Sequence, residues 1–197
     1  MSGNVGALVL AAGFSNRFGS IKLCANLANG QSVFQHTLSN IRQAVPDIIV
    51  VTRAEVAPLI ADSETDIRVF DDAELGMGAS LAYGIRQLIL PGSIHWDGCL
   101  ICLADMPFIR PESYTLIAES IKKDQIVVPY FQGKAGNPAG FGRDYFDRLS
   151  SLQGDHGGRM VVRENPASVY TLELDDPAIL HDIDTPEDLT RFELQNA

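Results

Sequence analysis

Residues 10–22 hold the densest concentration of chemically capable side chains in the chain. An apolar run ends at Leu10, Ala11 and Ala12, and Gly13, Ser15, Asn16, Arg17, Gly19 and Lys22 follow within ten positions. Glycines let the backbone turn sharply and come close to a ligand. Hydroxyl groups and exposed amides donate to oxyanions, and two fixed cations neutralise phosphate charge. Together these residues read as a phosphate cradle, and they do so in an acidic chain: 25 Asp and Glu against 15 Lys and Arg give a net charge of -10. The spacing is neither the Gly-x-Gly-x-x-Gly of dinucleotide folds nor a Walker A loop. An ordinary strand-to-helix turn with surface cations would draw on the same residue types.

The carboxylates form a second group. Asp105 directly follows the apolar run Cys99 to Leu103. Magnesium takes one or two carboxylates together with phosphate oxygens, so Asp105 reads as a Mg²⁺ ligand in need of a partner. Asp182 and Asp184 are two residues apart and face the same side of an extended segment. Asp105 could instead cap the turn before Pro107, and Asp184 could support the N-terminus of the last helix. Small residues from Gly76 to Ser80, Gly78 among them, would expose amides to an anion or a base edge at a helix start. They also suit a plain helix start with Ser80 in its first turn. Cys99 and Cys102 are three apart in an expected strand, which puts them on opposite faces and makes them core residues rather than a metal clamp.

These groups need a scaffold that presents them together. The continuous apolar run Val5–Ala11 reads as a strand buried on both faces, Asp47–Thr52 as a second buried strand, Ile67–Phe70 as a third, shorter one, Gly98–Leu103 as a fourth, apolar strand and Ile126–Pro129 as a fifth. Helical patterns lie between them at Val33–Val45, Leu81–Leu90 and Pro111–Lys123, the last with Pro at its first turn. Further on come an expected strand at Asn137–Phe141, helices near Arg143–Ser151 and Gly158–Glu164, and strands at Ser168–Leu174 and Ile179–Ile183. Thr185 then caps a final helix, with Pro186 at its first position and Asp188 in its first turn. The alternation predicts an α/β three-layer α/β/α sandwich, with ligands at the carboxyl ends of the strands.

Length and composition narrow the function classes. At 197 residues one domain is expected, spanning 1–197, and 46% hydrophobic content excludes a disordered chain. The charge argues against a general nucleic-acid binder. The longest apolar stretch, Val5 to Phe14, is too short to span a membrane. No basic segment precedes an apolar run at the start, so no signal peptide is read there. Three cysteines suit a reduced, cytoplasmic setting.

Leu10, Ala11, Ala12 and Gly13 with Ser15, Arg17, Gly19 and Lys22 resemble the Leu-Ala-Ala-Gly-x-Ser-x-Arg-x-Gly-x-x-Lys signature of the MobA-like nucleotidyltransferase family. Within it the resemblance is closest to the cytidylyl-transferring members, because guanylyl-transferring relatives usually carry Gly where this chain has Ala12. Further segments match in order: Gly76 to Ser80, Leu103 to Pro107, Gly136-Asn137-Pro138 with Phe141, Gly154-Asp155 with Gly157 and Arg159, and Asp182 to Asp188. His156 and Gly158 depart from the usual form of the segment from Gly154 to Arg159. The resemblance implies a Rossmann-like, mostly parallel sheet of the nucleotide-diphospho-sugar transferase type, with a nucleotide-binding half about 1–110 and an acceptor-binding half about 111–197.

The resemblance also assigns roles. Leu10, Ala11, Ala12, Gly13, Ser15, Arg17, Lys22, Gly78 and Ser80 would bind the nucleotide, and Asn137, Pro138, Asp155 and Arg159 the acceptor. Arg17, Lys22 and Asp105 would be catalytic. Asp105 with Asp182 or Asp184 would hold Mg²⁺. The implied substrates are CTP or another NTP and a phosphorylated pterin, namely molybdenum-bound molybdopterin, with a molybdenum hydroxylase or dehydrogenase as recipient of the product. The alternatives are transfer of a guanylyl or cytidylyl group to another phosphorylated acceptor, and a non-catalytic pterin cofactor chaperone.

Overall fold

The computed structural model describes residues 3–15, 17–62 and 64–195. Asn16, read as part of the phosphate loop, lies outside them. Strands β1 (Val5–Leu10), β2 (Ile48–Thr52), β3 (Asp66–Val69), β4 (Gly98–Leu103), β5 (Ile126–Phe131), β6 (Lys134–Ala135), β7 (Ala139–Gly142) and β8 (Val169–Glu173) join in one sheet. Its order is β3-β2-β1-β4-β7-β5-β6, with β8 paired to β5. β1 runs parallel to β2 and β4, β2 to β3, and β5 to β8. β7 runs antiparallel between β4 and β5.

Among the described residues seven α-helices cover the sheet: α1 (Val33–Ala44), α2 (Ala57–Ile60), α3 (Met77–Ile89), α4 (Pro111–Ser120), α5 (Phe146–Ser150), α6 (Arg159–Glu164) and α7 (Pro186–Gln195). Alternate strand residues feed two cores, as the pleat requires. Ala7, Val9, Val50 and Leu100 pack with Phe34 and Ile41 of α1 and Tyr114 and Ile117 of α4. Leu8, Val51 and Ile101 pack on the other face with Leu81 and Ile85 of α3, Phe146 of α5 and Val161 of α6. The three-layer α/β architecture is therefore present. Cys102 joins the first core and Cys99 the second, on opposite faces.

Several boundaries differ from expectation. α3 begins at Met77, not Leu81, so Gly76 to Ser80 form its N-cap and first turn rather than a preceding loop. Gly76 makes this start possible: its φ of 101° suits glycine, and a Cβ there would collide with Asp155 and the Gly154 backbone. The expected strand Ile179–Ile183 is instead a turn of 3₁₀-helix, Pro177–Leu180, followed by extended chain. Pro177 fixes the first φ of that turn and the Asp176 carboxylate accepts from the Ala178 N–H at 3.1 Å. Apolar Ala178 and Ile179 are buried as turn residues, which an apolar run alone does not reveal. β6 and β7 return along one edge of β5, and between the two pairings they carry two residues more than β5 does. Asn137 and Pro138 occupy that bulge, so β7 starts at Ala139.

Candidate active site

Leu10 and Leu103 are paired in register at the carboxyl ends of β1 and β4. The chain beyond them is tied down from three sides. Ala11 donates from its N–H to Val51 O at 2.8 Å, and the buried Thr52 hydroxyl donates to Ala11 O at 3.0 Å. Ala104 N–H donates to Leu10 O at 3.1 Å, and Ile183 N–H donates to Asp105 O at 2.9 Å. The last bond joins the segment bearing Asp105 to the segment bearing Asp182 and Asp184. It brings residues far apart in sequence together at the carboxyl ends of the central strands, where open α/β sheets bind ligands.

A crevice of about 470 Å³ opens there. Of the expected residues, Leu10, Ala11, Ala12, Gly13, Ser15, Arg17 and Lys22 line it from the loop and Ser80 from α3. Asp105, Asp155, Asp182 and Asp184 complete the lining of expected residues. Gly78, Asn137, Pro138 and Arg159 do not line it. Gly78 is a packing residue: its N–H donates to Gly154 O at 2.7 Å, and a Cβ would strike the backbone of residues 153–156. Asn137 N–H donates to Ile179 O at 2.8 Å, Pro138 is buried, and Arg159 opens α6 as an exposed residue. The sharp backbone turns of the loop fall at Ser15 (φ 53°) and Gly19 (φ 78°), whereas Gly13 keeps an ordinary φ.

Leu23, Ala73 and Glu74 also line the crevice and were not named from the sequence; Gly76, Met77, Leu103 and Ala104 line it from the matched segments, and Phe14 from the loop. Phe14 carries one readable signal: it is a large apolar residue in a glycine loop. The Arg53 guanidinium, just past β2, stacks over its ring at 4.7 Å.

The charges are paired with one another. Lys22 Nζ lies 2.6 Å from Asp105 Oδ2 and 3.1 Å from Asp184 Oδ1. Arg17 Nη2 lies 2.5 Å from Asp184 Oδ2. Burial works to lower the Lys22 pKa, but Asp105 and then Asp184 outweigh it and hold the ammonium above its ordinary value. Asp105 moves up from the usual carboxylate range because burial disfavours its charge. Lys22, shared with Asp184, offsets that only partly, and nearby Asp182 adds repulsion.

The donor set fits a divalent cation. Asp105 Oδ1 is buried with no hydrogen-bond partner, an arrangement that is costly unless something else meets it. Asp105, Asp182 and Asp184 each present an oxygen, and these atoms lie within 4.8 Å of one another. Hard carboxylate oxygens suit Mg²⁺ or Mn²⁺. The arrangement can thus hold a cation and an anionic phosphate chain side by side. Among the described residues no helix is long and apolar enough to cross a membrane.

Comparison with known proteins follows the same direction. Residues 7–169 match the profile of the MobA-like NTP transferase domain. A probable molybdenum cofactor guanylyltransferase of Natranaerobius thermophilus is 27% identical over 136 residues, which is 68% of this chain and 63% of that protein. The chain thus matches somewhat under two thirds of that relative's length. The molybdenum cofactor cytidylyltransferase of Escherichia coli K12 is 22% identical over 186 residues, 93% of each chain. The crystal structure of Rv0371c from Mycobacterium tuberculosis H37Rv in complex with manganese superposes with a TM-score of 0.79. It is 26% identical, covering 98% of this chain and 100% of that one.

Proposed function

The chain belongs to the MobA-like NTP transferase domain family and is a nucleotidyltransferase; from that premise we propose that it transfers CMP from CTP to the phosphate of molybdenum-bound molybdopterin and releases pyrophosphate. The reaction is Mg²⁺-dependent in this reading. The observation that carries it is the Lys22, Asp105 and Asp184 cluster with its orphaned Asp105 oxygen. A terminal phosphate oxygen of the acceptor attacks the α-phosphorus in line. The new P–O bond forms as the α–β bridging bond breaks, and the electron pair leaves with pyrophosphate. Such a transfer depends on positioning and charge stabilisation rather than on a dedicated base.

Lys22 neutralises charge at the α-phosphate and Arg17 holds the leaving β- and γ-phosphates. Asp105 with Asp182 or Asp184 holds the metal, which when bound offsets phosphate charge. Leu10, Ala11, Ala12, Gly13, Ser15 and Ser80 shape the nucleotide side, with Gly78 setting the close packing of the α3 start. Asp155 faces the acceptor from the crevice wall. Arg159, Asn137 and Pro138 extend the acceptor side beyond the crevice, which makes residues about 111–197 the acceptor half and 1–110 the nucleotide half of one domain. The product passes to a molybdenum hydroxylase or dehydrogenase in the cytoplasm.

Both named relatives act on molybdenum cofactor but carry different nucleotidyl names, guanylyl and cytidylyl. Ala12, buried in the same core cluster as Ala73 and Ala79, favours the single-ring base in this reading. A cofactor chaperone would need no Lys22 buried between carboxylates. The test is pyrophosphate release with Mg²⁺, molybdopterin acceptor and each NTP in turn. Release with CTP that requires the acceptor supports the proposal. Release with GTP alone moves it to a guanylyltransferase, and binding of pterin without release from any NTP refutes it.

A further inference from the structure

Both oxygens of Asp184 are committed to the cations that would receive the triphosphate. Oδ2 holds Arg17 Nη2 at 2.5 Å and Oδ1 holds Lys22 Nζ at 3.1 Å. The two partners differ in how firmly they are placed. Lys22 is buried and also bound to Asp105, so it stays in position whatever Asp184 does. Arg17 has a side chain 73% exposed and is held over the crevice by Asp184 alone among the described acidic residues. The Asp184 backbone is tethered on both sides. Its N–H donates to Asp188 Oδ2 at 3.3 Å, and the neighbouring Ile183, fully buried, donates to Asp105 O.

We propose that Asp184 is a positioning residue: it holds Arg17 in the nucleotide-free protein and releases it to the triphosphate only when a divalent cation takes up the Asp184 charge. The proposal rests on the nucleotidyltransferase reading and adds a binding order to it. An exposed arginine pair is weak, so the exchange is cheap once a better partner for Asp184 arrives. Without a metal, the triphosphate must compete with Asp184 for Arg17 and meets a bare carboxylate beside it. With a metal, Asp184 is neutralised and Arg17 can turn to the phosphates. Because coupling between two ligands is reciprocal, nucleotide must tighten metal binding by the factor by which metal tightens nucleotide.

Direct contact between metal and phosphate would also couple the two ligands, so the test removes the metal. CTP and GTP affinities are measured by calorimetry in EDTA and in Mn²⁺, without acceptor, for the wild type, Asp184→Asn, Arg17→Ala and the double variant. Asp184→Asn keeps the side-chain shape and Arg17 is exposed, so the folds should persist. Thermal melts check this, and Asp184→Ser serves as a second variant. The expected result in EDTA is that Asp184→Asn tightens the preferred nucleotide about fivefold when Arg17 is present and twofold or less when it is Ala, within the range of site couplings. Equal tightening in both backgrounds would reduce Asp184 to a general repulsive charge and overturn the proposal. So would weaker binding by Asp184→Asn. If the wild type bound neither nucleotide even in Mn²⁺, the nucleotidyltransferase reading itself would fall, and this inference with it.

Discussion

Lys22→Met removes the ammonium shared by Asp105 and Asp184 while keeping an unbranched side chain of similar length. The Lys22 and Asp105 side chains are 11% and 16% exposed, so water does not replace the lost partner. Breaking a buried pair by removing one member costs about 3 kcal/mol or more. For a chain of this size each kcal/mol lowers Tm by roughly 2–4 °C, so a fall of about 6–12 °C is expected near neutral pH. The loss depends on pH. Asp105 has a folded-state pKa already raised above its unfolded value, and losing Lys22 raises it further. A carboxyl raised in this way binds more protons folded than unfolded, so its penalty is fully present above the folded pKa. The penalty is relieved as pH falls toward the unfolded value. The gap in Tm between Lys22→Met and wild type should therefore narrow from pH 8 to pH 5.5 in scanning fluorimetry at low salt. Turnover should fall by about two to three orders of magnitude, as when one preorganised charge donor is lost. A variant melting within about 1 °C of wild type, or a gap that widens on acidification, would refute this account of the cluster.

Asp105→Asn should retain the fold but weaken Mn²⁺ binding at least about tenfold, since the amide loses the carboxylate charge and leaves a single oxygen to serve both Lys22 and the cation; unchanged affinity by calorimetry would take Asp105 out of the site. The wild type should prefer CTP to GTP in kcat/KM with the same acceptor. Ala12→Gly should narrow that ratio without reversing it, because one methyl is worth about 10- to 200-fold at most. Gly6→Ala should cost about 2–3 kcal/mol, because its Cβ would fall within the fully buried indole of Trp96; a melting curve that superposes on wild type would contradict that packing.

The strands and the order of the layers were legible because β1, β2, β4 and β5 are continuous apolar runs, which only a sheet covered on both faces requires. The last helix was legible from its cap. Thr185 Oγ1 accepts from Asp188 N–H at 3.1 Å and Asp188 Oδ2 accepts from Thr185 N–H at 3.0 Å, as the residue types suggested. Ile179–Ile183 misled because an apolar run reports burial and not backbone shape, and Pro177 with Asp176 decided the shape. Within the crevice, the loop residues and carboxylates could be named from type and spacing. Their mutual pairing could not, because contact between Lys22 and Asp184 depends on how β1 and the segment before α7 meet in space. Glu74 gave no signal either, since it lines the crevice from the turn of 3₁₀-helix that precedes α3.

The proposed reaction moves the α-phosphate of CTP, with its cytidine, onto the phosphate of a pterin. It is tested most directly by incubating the protein with Mg²⁺, molybdopterin acceptor and CTP labelled at either the α- or the γ-phosphorus, and following the label. α-Label should appear in a pterin dinucleotide and γ-label only in pyrophosphate. γ-Label on the pterin, or no α-label transferred while pterin and CTP are both bound, would contradict it.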